Sequence, residues 1–245
     1  MKAMIFAAGL GTRLKPLTDN LPKALVPIAG KPLLEWVILK LKAAGFDEII
    51  VNVHHFPNQI IDFLKGNDNF GIRIEISDES DSLLDTGGGI RNAAWFFDDG
   101  KPFLIHNVDI LSNVDLKALY HQHLRTNSLA TLVVSKRDTF RYLLFNDDLR
   151  LNGWINEKTG QTKPADLKKP ELYNKLAFSG IQMLSPRVFE FMENLEPKFP
   201  IIDFYLSTMK KEIISGFVPE NYSMLDVGKL NMLDEAERFV KKTNS

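Results

Sequence analysis

The sequence predicts an α/β fold of three layers, α/β/α, around a mainly parallel but mixed central sheet. Short apolar runs rich in β-branched residues alternate with helical patterns through the first half, and those helical patterns carry start and stop residues. A chain of 245 residues, 44% hydrophobic and 25% charged, is also long enough to bury one large core. A single domain over residues 1–245 is expected, with a loop and hairpin insertion at about 136–175.

Met4 to Ala7 reads as the first strand and runs into a glycine-, lysine- and proline-containing loop. A helix follows from Leu33 to Ala44, introduced by Pro32 and stopped by Gly45. Ile49 to Val53 is the next strand, and Pro57 to Leu64, ending at Gly66, the next helix. Ile72 to Ile76, Phe103 to Ile105 and Leu129 to Val134 complete the strands of the first half. Strands alternating with helices build parallel sheets covered on both faces, with ligands beyond the carboxyl ends of the strands.

From Lys136 to Lys175 the pattern changes. Arg141 to Phe145, the turn Asn146-Asp147-Asp148 and Trp154-Ile155 suggest hairpins, followed by a lysine- and proline-rich stretch from Lys163 that reads as a solvated loop. Phe178 to Leu184 is a strand, two short helices come next, and Ile213 to Val218 is a strand. A closing helix over Leu230 to Val240 places apolar residues at 230, 233, 236, 239 and 240, one face of a period of about 3.6 residues. No internal repeat is visible, and no hexapeptide β-helix pattern.

Thirty basic against thirty-one acidic residues leave no global field to attract nucleic acid or a membrane surface. The chain has no cysteine, which removes disulfides and cysteine-zinc sites and agrees with a reducing compartment. The apolar start is too short for a signal peptide, and no run approaches the ~20 residues of a bilayer span. A cytoplasmic protein is expected, a monomer or small homo-oligomer.

The loop after the first strand invites a dinucleotide-binding reading, but the third glycine of that fingerprint falls on Leu14. The acid due after the second strand is missing, with His54 and His55 standing there, and no Gly-Lys-Ser/Thr follows for a P-loop. What remains is a turn whose glycines let backbone N–H groups approach a ligand, with Arg13, Lys15 and Lys23 around it. Such a loop suits a polyphosphate, Arg13 as a planar bidentate donor and Lys23 as a point charge. A solvated connecting loop with incidental charge is the plainer alternative.

Ala7-Ala8-Gly9-Leu10-Gly11-Thr12-Arg13-Leu14-Lys15-Pro16-Leu17-Thr18, then Pro22-Lys23-Ala24-Leu25-Val26-Pro27-Ile28 and Lys31-Pro32, resembles the signature of the sugar-1-phosphate nucleotidyltransferases. The resemblance continues through Asp85-Thr86-Gly87-Gly88-Gly89-Ile90, Asn107-Val108-Asp109, Phe178-Ser179-Gly180-Ile181 and Leu225-Asp226-Val227-Gly228. The triple glycine, the Phe-Ser-Gly-Ile strand and the short length are most similar to the branch that uridylylates N-acetylmuramate 1-phosphate, with the mannose-1-phosphate guanylyl-transferring branch next.

The resemblance implies a Rossmann-like nucleotidyltransferase (glycosyltransferase-A-like) fold and a reaction between a nucleoside triphosphate and a sugar 1-phosphate. A sugar phosphate oxygen attacks the α-phosphorus and pyrophosphate leaves. The nucleophile is already an anion, so no serine or cysteine nucleophile is needed, and no Gly-x-Ser-x-Gly elbow is present. By resemblance Arg13 takes the departing β- and γ-phosphates, and Lys23 takes the α-phosphate and the attacking phosphate. Ala8, Gly9, Gly11, Thr12, Asn52, Thr86, Gly87 and Gly88 would hold the nucleotide, and Asn107 and Gly180 the sugar. The three glycines are expected to precede a helical segment and to offer backbone donors to a base or sugar edge.

Asp109 and Asp226 are the implied ligands of Mg²⁺, which prefers one or two carboxylates together with phosphate oxygens and water. Asp115, Asp147 and Asp234 read as helix-cap or turn residues instead. His121 and His123, two apart, lie on different sides of a helix and argue for no metal pair. Trp154 would stack on a sugar face, although an aromatic in that place is more often core.

Two departures stand out. Val108 occupies the family's usual glycine before the first metal aspartate, and Asp85 a place often held by glycine. Glu157-Lys158 resembles a sugar-side Glu-Lys pair, but Thr159-Gly160 follows where proline is expected. A catalytically silent nucleotide-sugar-binding regulator would be favoured by loss of a phosphate or metal residue; Arg13, Lys23, Asp109 and Asp226 are all present.

Overall fold

The computed structural model describes residues 1–243. β1 (Lys2–Phe6) leads into the long loop, which ends in the small hairpin of β2 (Pro27–Ile28) and β3 (Lys31–Pro32). α1 (Leu33–Ala43), β4 (Glu48–Val53), α2 (Pro57–Gly66), β5 (Arg73–Asp78), α3 (Asp85–Asn92) and β6 (Phe103–Asn107) follow. Then come β7 (Ile110–Ser112), α4 (Leu116–Thr126), β8 (Ala130–Ser135), β9 (Arg141–Phe145), β10 (Leu151–Asn156) and β11 (Gln161–Lys163). The chain continues through β12 (Asn174–Leu184), α5 (Val188–Met192), α6 (Ile201–Thr208), β13 (Ile214–Phe217), β14 (Met224–Asp226) and α7 (Leu233–Thr243).

Among the described residues a ten-stranded mixed sheet runs β11-β10-β9-β12-β6-β1-β4-β5, with β8 paired to β12 and β13 to β8. β1, β4, β5 and β6 are parallel, joined by crossovers that carry helices. β12 is antiparallel to β6, β8 and β9, and β9, β10 and β11 form the hairpins. The chain leaves β1 for β4 and β5 on one side, then returns to β6 on the other. That reversal opens a crevice beyond the carboxyl ends of β1 and β6, where ligands of open α/β sheets sit.

Side chains alternate across the sheet and so supply two cores. Ala3, Ile5 and Ala7 of the first strand and loop, with Ile49 and Val51, pack under α1, α2, α4 and α7 on one face. Met4, Ile50, Phe103 and Ile105 pack with α3, α5 and α6 on the other. This is the expected three-layer α/β/α arrangement. α1 buries Leu33, Leu34, Val37, Ile38 and Leu41, begins after Pro32, and is followed by Gly45 at φ +90°. Asp115 caps α4, its Oδ1 accepting the N–H groups of Lys117 and Ala118 at 2.9 and 3.0 Å, as its reading as a cap residue anticipated.

Three expectations change. The glycine triplet lies inside α3 and not ahead of it. Leu230 stands outside the closing helix, in a 3₁₀ turn over Leu230–Met232 that follows an extended Lys229, and is 40% exposed. The lysine-rich insertion carries a third strand, β11, before the exposed stretch that ends in the 3₁₀ turn Pro170–Leu172. No helix among the described residues is long and apolar enough to cross a membrane.

Candidate active site

The loop after β1 is held by its own contacts. The Thr18 hydroxyl donates to the Gly11 carbonyl at 2.8 Å, the Leu14 N–H donates to the same oxygen at 2.8 Å, and Leu14 is fully buried. Gly11 sits at φ +64°, and a Cβ there would lie 2.9 Å from Thr18 Cγ2 and 3.1 Å from Lys23 Cβ. Any larger residue is therefore excluded twice, by conformation and by contact. Gly9, in contrast, has nothing within 4 Å of the point where a methyl group would stand. Thr18, which the motif reading left unassigned, fixes the shape of the loop.

A cavity of about 350 Å³ opens at the carboxyl ends of β1, β4, β5 and β6. Its wall includes Ala8, Gly9, Lys23, Asn52, Thr86, Asn107 and Asp109. Asn52 reaches this wall from β4, but its amide is committed to protein groups. Oδ1 accepts the N–H of Ala7 at 2.7 Å and of Ala8 at 3.3 Å, and Nδ2 donates to Glu79 Oε1 at 2.8 Å. Glu79 is 3% exposed, lines the same cavity, and accepts the Leu84 N–H through Oε2 at 3.1 Å. Its backbone carbonyl meets His54 Nδ1 at 2.7 Å. A buried chain of hydrogen bonds thus ties the loop after β1 to the segment that enters α3. Glu79 is a residue that pattern reading missed, because its partners are remote in sequence.

Asp109 occupies the turn between β6 and β7, and Asp226 ends β14. β7 and β14 pair antiparallel with Ile110 opposite Asp226, and the Val227 N–H donates to the Asp109 carbonyl at 2.8 Å. Two acids distant in sequence so become neighbours on one small ladder. Lys23 Nζ forms an ion pair with Asp109 Oδ2, both side chains being mostly buried at 11% and 18% exposed. Arg13 lies beside the second acid: a Cβ on Gly228 would be 2.7 Å from both Arg13 Nη2 and Asp226 Oδ1. Arg13 and Asp226 line a second cavity of about 270 Å³ together with Arg137 and Lys229. All four implied phosphate and metal residues are gathered, two in each cavity.

The glycine triplet plays another part than expected. The Gly87 and Gly88 N–H groups donate to the Phe199 carbonyl at 2.9 and 3.3 Å, so those donors are taken by protein. A Cβ at Gly87 would stand 2.2 Å from Phe199 Cε2, and one at Gly88 2.3 Å from the Pro197 carbonyl oxygen. The glycines let α3 pack against the segment before α6. Thr86 Oγ1 accepts the Ile201 N–H at 2.9 Å along the same seam. Asp85 holds φ +62°, a conformation that favours glycine and that aspartate tolerates, with its carboxylate turned back on the Thr86 N–H at 2.6 Å.

On the side assigned to the sugar, Gly180 at φ +74° sits where β12 changes partner, and a Cβ there would meet Asn107 Nδ2 at 2.7 Å. Gly180 therefore makes room for the Asn107 amide at the cavity wall. Thr12, Gly11 and Arg13 stand outside that wall. Trp154 lies apart, half-buried in a third cavity built on the hairpins, with Lys163 Nζ 5.6 Å from its ring centroid. His123 is buried against Thr131 Oγ1 at 2.9 Å, and His121 is exposed on the other side of α4.

Among the described residues no cluster of three or more histidine, aspartate, glutamate or cysteine side chains is placed to hold a metal. A pair of carboxylates alone suits a cation that takes most of its oxygens from other ligands and water.

The nucleotidyl transferase family profile matches residues 2–243, which span the whole sheet and both of these cavities. The chain belongs to this family, among its sugar-1-phosphate nucleotidyltransferases. It is 33% identical over 241 residues to an N-acetylmuramate alpha-1-phosphate uridylyltransferase of Neisseria meningitidis, covering 97% of each chain. It is 34% identical to mannose-1-phosphate guanylyltransferase 1 of Arabidopsis thaliana over 79% of this chain and 52% of that protein. HddC from Yersinia pseudotuberculosis, complexed with GMP-PN, shares the fold at a TM-score of 0.76 and 24% identity, over 97% of this chain and 98% of that one.

Proposed function

We propose that the chain transfers a nucleoside monophosphate from a nucleoside triphosphate to a sugar 1-phosphate in a Mg²⁺-dependent reaction, releasing pyrophosphate, and that the pair is UTP and N-acetylmuramate 1-phosphate. The observation that carries this reading is the convergence of Lys23, Asp109, Arg13 and Asp226 at the strand reversal beside β1. The acceptor assignment draws on the full-length match to the Neisseria protein. Guanylyl transfer to mannose 1-phosphate is the second reading, drawn from the Arabidopsis match.

The chemistry follows from charge. Two anions must approach each other, and the transition state concentrates negative charge on the α-phosphate oxygens and the departing pyrophosphate. Lys23, mostly buried and paired to Asp109, would turn to the α-phosphate once Asp109 has another cationic partner. Arg13, beside Asp226, would take the leaving phosphates, where a planar guanidinium gives two parallel bonds. Asp109 and Asp226 would hold Mg²⁺, which supplies a further positive charge shared by phosphate oxygens. The attacking oxygen is ionised at neutral pH, so positioning and charge neutralisation, rather than proton transfer, carry the rate.

A pyrophosphate-release assay over five nucleoside triphosphates and several sugar 1-phosphates tests this, with Asp109→Ala and Asp226→Ala as controls. The reading expects one strong combination that both substitutions abolish. Equal turnover in the controls removes the metal assignment.

A further inference from the structure

The ladder that brings the two acids together is not part of the main sheet: β7 and β14 form a separate two-stranded sheet of three residue pairs. A strand pair this short is marginal on its own. Its register matters, because a slip of one residue moves Asp226 by about 3.3 Å and turns it to the other face, whereas Mg²⁺ holds its oxygens at about 2.1 Å in a rigid octahedron.

At the acid end the Val227 N–H closes the ladder on the Asp109 carbonyl. The other end is held by two side chains that no step of the reaction uses. Asn113 extends β7 past its last pair: its N–H donates to the Ser223 carbonyl at 3.1 Å, its Oδ1 accepts the Ser223 N–H at 2.8 Å, and its Nδ2 donates to the Asn221 carbonyl at 2.9 Å. Lys40 reaches over from α1 and donates Nζ to the Ser112 carbonyl, two residues from Ile110, which stands opposite Asp226. Lys40 lies one turn from buried Val37, where an apolar side chain would pack at no electrostatic cost. Burial pushes its ammonium down to about 8, and the charge of Asp115 counters that shift only in part. A cation kept against its desolvation cost for one main-chain carbonyl fits fixing a position better than filling a core.

We propose that Lys40 and Asn113 are positioning residues for the cation: they clamp the end of β7 and the entry to β14, and so fix where Asp226 meets Asp109. The proposal rests on the reading of the two acids as the cation's ligands and adds the device that sets their spacing.

The test compares the wild type with Lys40→Met, Lys40→Arg, Asn113→Ala and, as a control, Lys42→Met. Lys42 stands on the same helix and also donates to a main-chain carbonyl, that of Phe70, away from the ladder. Three quantities are read: amide hydrogen exchange in the metal-free chain, the factor by which Mn²⁺ tightens calorimetric binding of a non-hydrolysable nucleoside triphosphate, and the urea midpoint. Lys40→Met and Asn113→Ala are expected to speed exchange at Val227 by roughly tenfold or more while leaving Val51 of β4 unchanged, and to cut the Mn²⁺ factor roughly tenfold. Lys40→Arg, which keeps a donor, restores both, and Lys42→Met changes neither. The urea midpoint of Lys40→Met stays close to wild type, because relief of a buried charge offsets the lost hydrogen bond. Unchanged Val227 exchange and an unchanged Mn²⁺ factor in Lys40→Met and Asn113→Ala overturn the proposal and leave the metal reading standing. A general loss of protection that includes Val51 also overturns it, since both residues would then be merely structural. A wild type whose nucleotide binding Mn²⁺ does not tighten overturns both.

Discussion

Asn52 shows how a residue can line a cavity and still do its work through the backbone. Its Oδ1 takes the N–H groups of Ala7 and Ala8, and its Nδ2 is anchored on buried Glu79. Asn52→Ala leaves two loop amides and one buried carboxylate short of a partner, at a cost of about 1–3 kcal/mol. Urea unfolding is expected to show that loss, together with a raised KM for the nucleotide. If Asn52 instead read the base, its removal would change the ratio of UTP to GTP use and leave stability untouched. Lys23 makes a different demand, since Asp109 is mostly buried and would stand uncompensated without it. Lys23→Ala should lower kcat by roughly a hundredfold in a pyrophosphate-release assay, whereas Lys15→Ala, on an exposed side chain paired to Asp19, should change it little.

At the scale of elements, α3 is a helix built around three residues that disfavour helices. Glycine costs about 1 kcal/mol relative to alanine in a helix interior, yet alanine has no room at these positions. At Gly88 the obstacle is a backbone carbonyl, which does not swing aside, so Gly88→Ala is expected to destabilise the chain by about 2 kcal/mol or more. Gly9→Ala, with open space around it, should stay within about 0.5 kcal/mol in the same thermal or urea melt.

The α4–β8 contact makes stability depend on pH. Burial pushes the His123 imidazole down to about 4, where it meets Thr131 and no acid. Between about pH 6.5 and 4 the unfolded chain binds a proton at His123 that the folded chain does not, so stability falls as pH falls. The loss approaches 2 kcal/mol by about pH 5. His123→Gln should flatten the urea midpoint against pH over that window relative to wild type; parallel curves would exclude this source.

Across the whole molecule, the parts legible in the sequence were those written as local pattern. β-branched runs marked the parallel strands, and the Pro32 and Gly45 punctuation marked α1. The acids Asp109 and Asp226 were identifiable through their motif neighbours. What escaped was whatever depends on distant segments meeting. β7 and β14 are three-residue strands with no period to detect, yet their pairing is what brings Asp226 to Asp109. Glu79 is an ordinary surface-type residue until Asn52 and Leu84 close over it. The glycine triplet read as a ligand-facing turn because its neighbour, the Pro197 to Phe199 segment, lies far along the chain.

The proposed reaction requires one arrangement: a triphosphate lying in the loop after β1, with Asp109 and Asp226 holding a cation against it. Diffraction from crystals grown with a non-hydrolysable nucleoside triphosphate and Mn²⁺, read through the anomalous signal of manganese, tests this directly. The expected result is a manganese peak bound by both carboxylates and by phosphate oxygens, with Lys23 turned from Asp109 to the α-phosphate. A peak bound by neither acid, or a triphosphate seated away from the strand reversal beside β1, would contradict it.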